Sequence, residues 1–131
     1  NCQFRRHEYP LSCQKPHLIQ YLLKESVEYA HMQIPADEEE QKQLLRALFN
    51  IRMPQEVPEE FLQIQDAYLQ EENRRKGIVD YKDLLPVQEG IYLWQGDISS
   101  LKCGAIVNAA NSQMLGCFRP NHNCIDNSLL V

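Results

Sequence analysis

A change of pattern at Pro86 constrains the fold of this sequence more than any other feature. Before it, apolar residues recur at helical spacing, whereas after it they form short β-favouring runs bounded by Gly90, Gly96 and Gly104. Helical segments followed by strands predict a helical extension joined to an α/β module. A chain of 131 residues has room for one such domain and little more.

Residues 17–85 are predicted to form the helical extension, and residues 1–16 a loose lead before it. The lead carries two prolines and no repeating apolar period. After Pro16, apolar residues at helical spacing predict a first amphipathic helix that continues to about Ala30. We expect its apolar stripe to face the core of the extension.

Two further helices have recognisable boundary signals. A second helix is predicted to begin at Asp37, whose carboxylate can cap the free amides of the first turn. A third is predicted to begin at Pro58 and run to about Lys76, where Gly77 ends it. The apolar residues expected to form their buried faces are Leu44, Leu45, Leu48 and Phe49 on the second helix and Phe61, Ile64, Tyr68 and the neighbouring Leu62 and Leu69 on the third.

Residues 86–131 are predicted to hold the first strands of an α/β domain. The runs at 91–94 and 105–107 are typical of strands, and the second lacks polar alternation, which predicts a strand covered on both faces. Two strands do not form a stable sheet, and the chain ends soon after the second run. We therefore expect an α/β fold that is truncated at its C-terminus.

Composition excludes several classes of protein. Eighteen acidic against thirteen basic residues give a net charge of -5, and no basic stripe tracks a phosphate backbone, so nucleic-acid binding is not expected. No apolar run approaches the roughly 20 residues that cross a bilayer, and the first residues lack a secretion signal, which favours the cytoplasm. Five cysteines are an odd number, which favours free thiols or metal ligands over a disulfide framework.

Three potential metal ligands lie close together near the end of the chain. Cys117, His122 and Cys124 offer two thiolates and an imidazole within eight residues, a composition that suits Zn²⁺. Three protein ligands leave the fourth tetrahedral position open, as in catalytic zinc sites. The spacing matches no zinc finger, and buried packing thiols are the alternative interpretation.

Four polar residues near the same cluster have both a structural and a functional interpretation. Asp97 can be a loop or cap acid, and Asp126 can cap a short helix. Asn108 and Asn111 can be turn residues, because asparagine tolerates left-handed backbone and bonds its own chain. All four follow predicted strands or the metal cluster, where ligands of α/β proteins bind.

Three sequence strings together resemble the macrodomain family, whose α/β/α fold binds ADP-ribose. They are Gly-Asp-Ile-Ser-x-Leu at 96–101, Ala-Ile-Val-Asn-Ala-Ala-Asn at 105–111, and Gly-Cys-Phe-x-Pro-x-His-x-Cys-Ile-Asp-Asn at 116–127. The third string is similar to that of the zinc-containing bacterial branch, which also carries a helical N-terminal extension. The resemblance implies the first strands of a three-layer α/β/α fold within residues 86–131.

The same resemblance implies roles for individual residues. Asp97 would accept a hydrogen bond from the exocyclic amine of adenine, and Ile98 would add its backbone amide and an apolar contact. Asn108 and Asn111 would belong to the ligand-binding set, with Asn111 holding hydroxyls of the distal ribose. The implied metal ligands are Cys117, His122 and Cys124, and Asp126 would orient or deprotonate the attacking water.

The activity implied is zinc-dependent hydrolysis that removes ADP-ribose from modified protein side chains. The implied partners are ADP-ribose or an ADP-ribosylated protein, together with a sirtuin-type ADP-ribosyltransferase system. A noncatalytic ADP-ribose-binding module, or an inactive fragment, is the alternative. A third interpretation is a helical interaction module, residues 17–85, with a structural zinc knuckle attached.

Overall fold

Three helices form the first part of the fold in a computed structural model that describes residues 10–110, 112–113 and 116–128. Helix α1 spans Leu11–Glu25, α2 spans Glu38–Ile51 and α3 spans Glu59–Lys76. Because α1 packs against both α2 and α3, the three helices enclose a common core. Within the described residues, no helix combines the length and apolar character needed to cross a membrane.

Helix α1 differs from its predicted boundaries at both ends. It begins at Leu11 and contains Pro16, so the prediction that it starts after Pro16 was wrong. A proline within a helix removes the bond its own N–H would donate, and here the fully buried Leu18 and Ile19 hold the helix in place after it. The helix ends at Glu25 instead of near Ala30. Val27 is 96% exposed, so no core packing favours continuing the helix past this point.

The boundaries of α2 and α3 confirm the local sequence signals. The Asp37 carboxylate accepts hydrogen bonds from the amides of Glu39 and Glu40, at 2.9 and 3.0 Å. Gly77 ends α3 with a φ of 87°, a left-handed conformation that glycine adopts without a steric penalty. Both signals act within a few residues of the helix end, which is why sequence alone located them.

The hydrophobic core lies among the three helices. Its buried members are Leu18, Ile19, Leu22, Leu23, Leu45, Leu48, Phe61, Ile64 and Tyr68. The predicted core residues Leu44, Phe49 and Leu69 are partly buried and pack against it. Leu62 is 38% exposed, so its prediction as a core residue was wrong. Among the described residues, none after α3 belongs to this core, so apolar burial is concentrated in the helical part.

Short strands and turns follow the helices. Strand β1 (Val79–Asp80) pairs in parallel with β4 (Leu101–Lys102), and β2 (Pro86–Gln88) pairs antiparallel with β3 (Ile91–Tyr92). A 3₁₀ turn at Tyr81–Asp83 follows β1. Helices followed by short strands, including a parallel pair, confirm the mixed α/β class, whereas the division at residues 16 and 85 stays a prediction.

The predicted buried strand at 105–107 is not present in the structure. This run is irregular, with Ile106 43% and Val107 93% exposed. In the part of the chain that is described, no strand pairs with it, so its backbone amides and carbonyls have no ladder to join. The earlier run forms a strand only at Ile91–Tyr92 and does not extend to Trp94.

Candidate metal and ligand site

The three predicted metal ligands converge in the loop that precedes α4 (Ile125–Ser128). The ligand atoms of Cys117, His122 and Cys124 all lie within 4.8 Å of one another, and each residue is half-buried. The Cys117 Sγ is 3.5 Å from the His122 Nδ1. Neither thiol forms a disulfide bond in the structure.

One donor pair of this cluster has the separation that a shared tetrahedral metal ion would require. Zn–S and Zn–N bonds of about 2.3 and 2.0 Å at a tetrahedral angle place the two donor atoms about 3.5 Å apart. The sulfur and nitrogen of Cys117 and His122 already have this separation. The three side chains therefore form a group that could hold a metal ion.

Two residues with positive φ bend the loop so that its ligands meet. Gly116 has a φ of 81° and Asn121 a φ of 53°. Glycine and asparagine are the residues that adopt this conformation most readily. The His122 amide then donates to the Arg119 carbonyl at 3.3 Å, which closes a turn and brings the imidazole back toward Cys117.

Asn127 holds the loop together from inside. Its side chain is fully buried, and its Nδ2 donates to the carbonyls of Cys117 and Arg119 at 3.3 and 3.0 Å. Its backbone amide donates to the Cys124 Sγ at 3.4 Å. One asparagine thus contacts the backbone or sulfur of two proposed ligands.

Asp126, two residues after Cys124 along the chain, forms a hydrogen-bonded pair with Asn108. The Asn108 Nδ2 donates to the Asp126 Oδ1 at 2.9 Å, although the two residues are 18 positions apart. Both side chains are half-buried. The bond orients a carboxylate that lies two residues after Cys124, where the sequence predicted a group that handles a proton.

Asp97 caps a short 3₁₀ turn at Ile98–Ser100. Its Oδ1 accepts from the Ser99 hydroxyl at 2.7 Å and the Ser99 amide at 3.0 Å, and its Oδ2 is 3.4 Å from the Lys76 Nζ. The Ser99 hydroxyl, then the Ser99 amide, and the charge of Lys76 hold the pKa of Asp97 below its usual range despite some desolvation. The carboxylate is exposed and charged, so capping leaves it available as an acceptor.

A cavity of about 350 Å³ separates Asp97 from the metal loop. It lies between α2, α3 and the loop, and its polar lining includes Lys42, Arg46, Lys76, Asp97 and Asn123. This volume is within the range of small-molecule sites. Ile98 is half-buried and lines a neighbouring cavity, and Asn111 lies outside the described residues.

Sequence reasoning missed two residues of α2 that contact the loop. The Arg46 Nη2 donates to the Asn127 Oδ1 at 3.2 Å and to the His122 carbonyl at 3.4 Å. The Asn50 Oδ1 accepts from the Asn121 amide at 3.2 Å. These contacts span more than 70 residues, and only the polar character of Arg46 and Asn50 beside an apolar stripe hints at them.

Fold and site together define an α/β protein with a helical extension and a two-thiol, one-imidazole donor set next to an oriented carboxylate. No protein-family model matches the chain. It is 55% identical over 116 residues to a protein-ADP-ribose hydrolase of Treponema medium, covering 86% of this chain and 44% of that protein. The chain is thus a homologue of proteins named protein-ADP-ribose hydrolase.

Two further relatives extend this comparison. A protein-ADP-ribose hydrolase of Staphylococcus aureus (strain MRSA252) is 44% identical over 112 residues, covering 85% of this chain and 42% of that protein. A probable bifunctional ADP-ribose hydrolase/ADP-ribosyltransferase of Fusarium oxysporum f. sp. cubense is 42% identical over 95 residues, covering 64% of this chain and 16% of that protein. The chain spans less than half of the length of these relatives.

Proposed function

We propose that this chain carries the zinc-binding part of a macrodomain-type enzyme that hydrolyses ADP-ribose from modified protein side chains. The observation that carries the proposal is the convergence of Cys117, His122 and Cys124 within 4.8 Å of one another. The oriented pair of Asn108 and Asp126 beside them adds a carboxylate to the same site. Homology to proteins named protein-ADP-ribose hydrolase gives the substrate class.

In this proposal Asp97 and Ile98 bind the adenine of ADP-ribose. The carboxylate of Asp97 is ionised at neutral pH, as its hydrogen bonds and the charge of Lys76 favour, and an ionised carboxylate accepts hydrogen bonds at both oxygens. The exocyclic amine of adenine is a matching donor. The cavity that Asp97 lines extends toward Asn123, next to Cys124, so a ligand held at Asp97 has a path to the metal loop.

The distal ribose is proposed to lie at the metal loop, held by Asn111 and positioned near Asp126. Zinc bound by the three ligands supplies a Lewis acid for a ribose oxygen or for water. Asp126 accepts a proton from the attacking water, and Asn108 holds its Oδ1 in place. The water oxygen becomes bonded to the anomeric carbon of the ribose as the bond from that carbon to the protein side chain breaks. The released side chain takes the proton that Asp126 accepted from the water.

The substrate of such an enzyme is a protein carrying ADP-ribose, so a transferase must supply it. The name of the Fusarium relative joins an ADP-ribose hydrolase to an ADP-ribosyltransferase, which supports this pairing. We propose a sirtuin-type transferase as the partner system. Action in the cytoplasm agrees with free thiols, since that compartment keeps cysteines reduced.

The first prediction concerns zinc and turnover together. We expect about one zinc per chain, as a single tetrahedral site requires, and removal of ADP-ribose from a modified protein. Cys117→Ser should lose both, whereas Cys103→Ser, a change at an exposed thiol outside the cluster, should keep both. Asp126→Asn should keep the zinc and lower the rate by about 10²–10⁴-fold, the usual contribution of a positioned base.

Metal analysis and release of labelled ADP-ribose are the two measurements. Zinc-free wild-type protein after purification and zinc addition would contradict the metal proposal. Calorimetric binding of ADP-ribose without its removal from protein would instead support the noncatalytic binding module.

A further inference from the structure

We propose that Arg46 and Asn50 of α2 are positioning residues that hold the metal loop, residues 116–128, in its ligating shape. This inference rests on the metal site of the proposed function and deepens it. It assigns the helical extension a direct part in that site.

Arg46 contacts the loop at two points. Its Nη2 donates to the His122 carbonyl at 3.4 Å and to the Asn127 Oδ1 at 3.2 Å. The first contact fixes the backbone of a proposed ligand. The second fixes the side chain that in turn binds the carbonyl of Cys117.

The hydrogen bonds of Asn127 transmit the position of Arg46 to the rest of the loop. The Asn127 Oδ1 accepts from Arg46, while its Nδ2 donates to the carbonyls of Cys117 and Arg119. Both ends of this fully buried amide are therefore used. Removing the Arg46 guanidinium would leave the buried Asn127 Oδ1 without a donor. This loss destabilises the orientation in which the Asn127 amide binds the loop carbonyls.

Asn50 fixes the strained residue next to His122. Its Oδ1 accepts from the amide of Asn121, whose φ of 53° is one of the two bends that bring the ligands together. Asn50 is only 1% exposed, and within the described structure its Nδ2 has no hydrogen-bond partner. An apolar residue at this position would avoid the free-energy cost of burying an unpaired amide donor. The hydrogen bond to Asn121 is therefore the physical reason for an asparagine here.

One face of helix α2 packs in the helical core, and the other contacts the metal loop. Leu45 and Leu48 are buried in the helical core, whereas Arg46 and Asn50, one turn apart at i and i+4, contact the loop. Groups that orient metal ligands are most effective when they stand on a rigid element. A helix whose opposite face is locked in a core meets this requirement.

Titration with Co²⁺ and Zn²⁺ tests the proposal, with the visible absorption of bound Co²⁺ reporting tetrahedral thiolate coordination. We expect Arg46→Gln and Asn50→Leu to weaken affinity for both ions by about 10–100-fold, the usual effect of losing a residue that orients ligands. Arg46→Lys keeps a donor and should lose less than Arg46→Gln. The matched control is Lys24→Gln, which removes an exposed charge on α1, away from the α2 face that contacts the loop.

Circular dichroism and the midpoint of thermal unfolding separate positioning from folding. Asn50→Leu should keep or raise the midpoint while lowering metal affinity, a combination that a purely structural role would not produce. If Arg46→Gln fails to fold, the metal affinity of Asn50→Leu still tests whether α2 positions the loop. Wild-type affinity in folded Asn50→Leu would overturn this inference alone, whereas wild-type protein that binds neither ion would overturn the metal site and the inference with it.

Discussion

At the residue scale, Asp97 shows how one carboxylate can cap a turn and still serve a ligand. Both bonds to Ser99 use Oδ1, and the ion pair with Lys76 involves Oδ2. These contacts stabilise the charged form, so the pKa of Asp97 is lowered. The capping role and the proposed adenine role therefore do not exclude each other.

Ser99→Ala is expected to raise the pKa of Asp97 toward its usual value of 3.8, because the Ser99 hydroxyl is the largest cause of the shift. Ser100→Ala is the matched control, since the Ser100 hydroxyl donates to the Asp97 backbone carbonyl and not to the carboxylate. An NMR titration of the carboxyl carbon measures both. Equal pKa values in Ser99→Ala and wild-type protein would contradict this account.

At the element scale, the ends of α1 and α2 are joined by a two-point ion pair. The Arg52 Nε and Nη2 donate to the two oxygens of Glu25 at 2.7 and 3.0 Å. Both side chains are less than a fifth exposed. Hydrogen bonding to Arg52 is the main reason that the pKa of Glu25 is lowered from 4.5, against the opposing effect of burial.

Glu25→Gln is expected to reduce the free energy of unfolding at pH 7 by about 1.5–3 kcal/mol, the range for hydrogen bonds to charged groups. Because the folded-state pKa of Glu25 is lowered, its contribution is present above the unfolded-state value and is lost as pH falls through the folded-state value. Urea denaturation from pH 7 to pH 3 should therefore show a flatter profile for Glu25→Gln than for wild-type protein. Glu28→Gln, at an exposed acid just beyond α1, should retain the wild-type profile.

At the scale of the whole molecule, two kinds of interaction hold different parts of the chain. The helical part shares an apolar core, whereas the described residues after α3 attach to it by polar contacts such as those of Arg46, Asn50 and Lys76. Apolar burial is the dominant favourable contribution to folding. The helical part should therefore set the global stability, and the loop should depend on it.

Leu45→Ala tests this division of roles. Leu45 is 1% exposed, so the variant should lose about 2–5 kcal/mol of unfolding free energy, as large-to-small core changes do. Leu62→Ala, at a leucine of α3 that is 38% exposed, should lose less than about 1 kcal/mol by the same reasoning. Chemical denaturation followed by circular dichroism measures both, and equal losses would show that the helical core does not control stability.

Sequence by itself determined the features that depend on neighbouring residues. The cap at Asp37, the glycine end of α3 at Gly77 and the spacing of Cys117, His122 and Cys124 act over a few positions, so their types and distances along the chain are informative. The α/β class followed from the order of helical and β-favouring segments. These signals are local because hydrogen bonds at helix ends and loop ligands form within one or two turns of chain.

Only the tertiary structure decided the features that depend on distant partners. Helix α1 extends through Pro16 because Leu18 and Ile19 are buried against other helices, and the run at 105–107 is irregular because no strand of the described residues pairs with it. Arg46 meets Asn127 across 81 positions of sequence. Burial and long-range hydrogen bonds are set by which segments meet in space, and no local pattern records that.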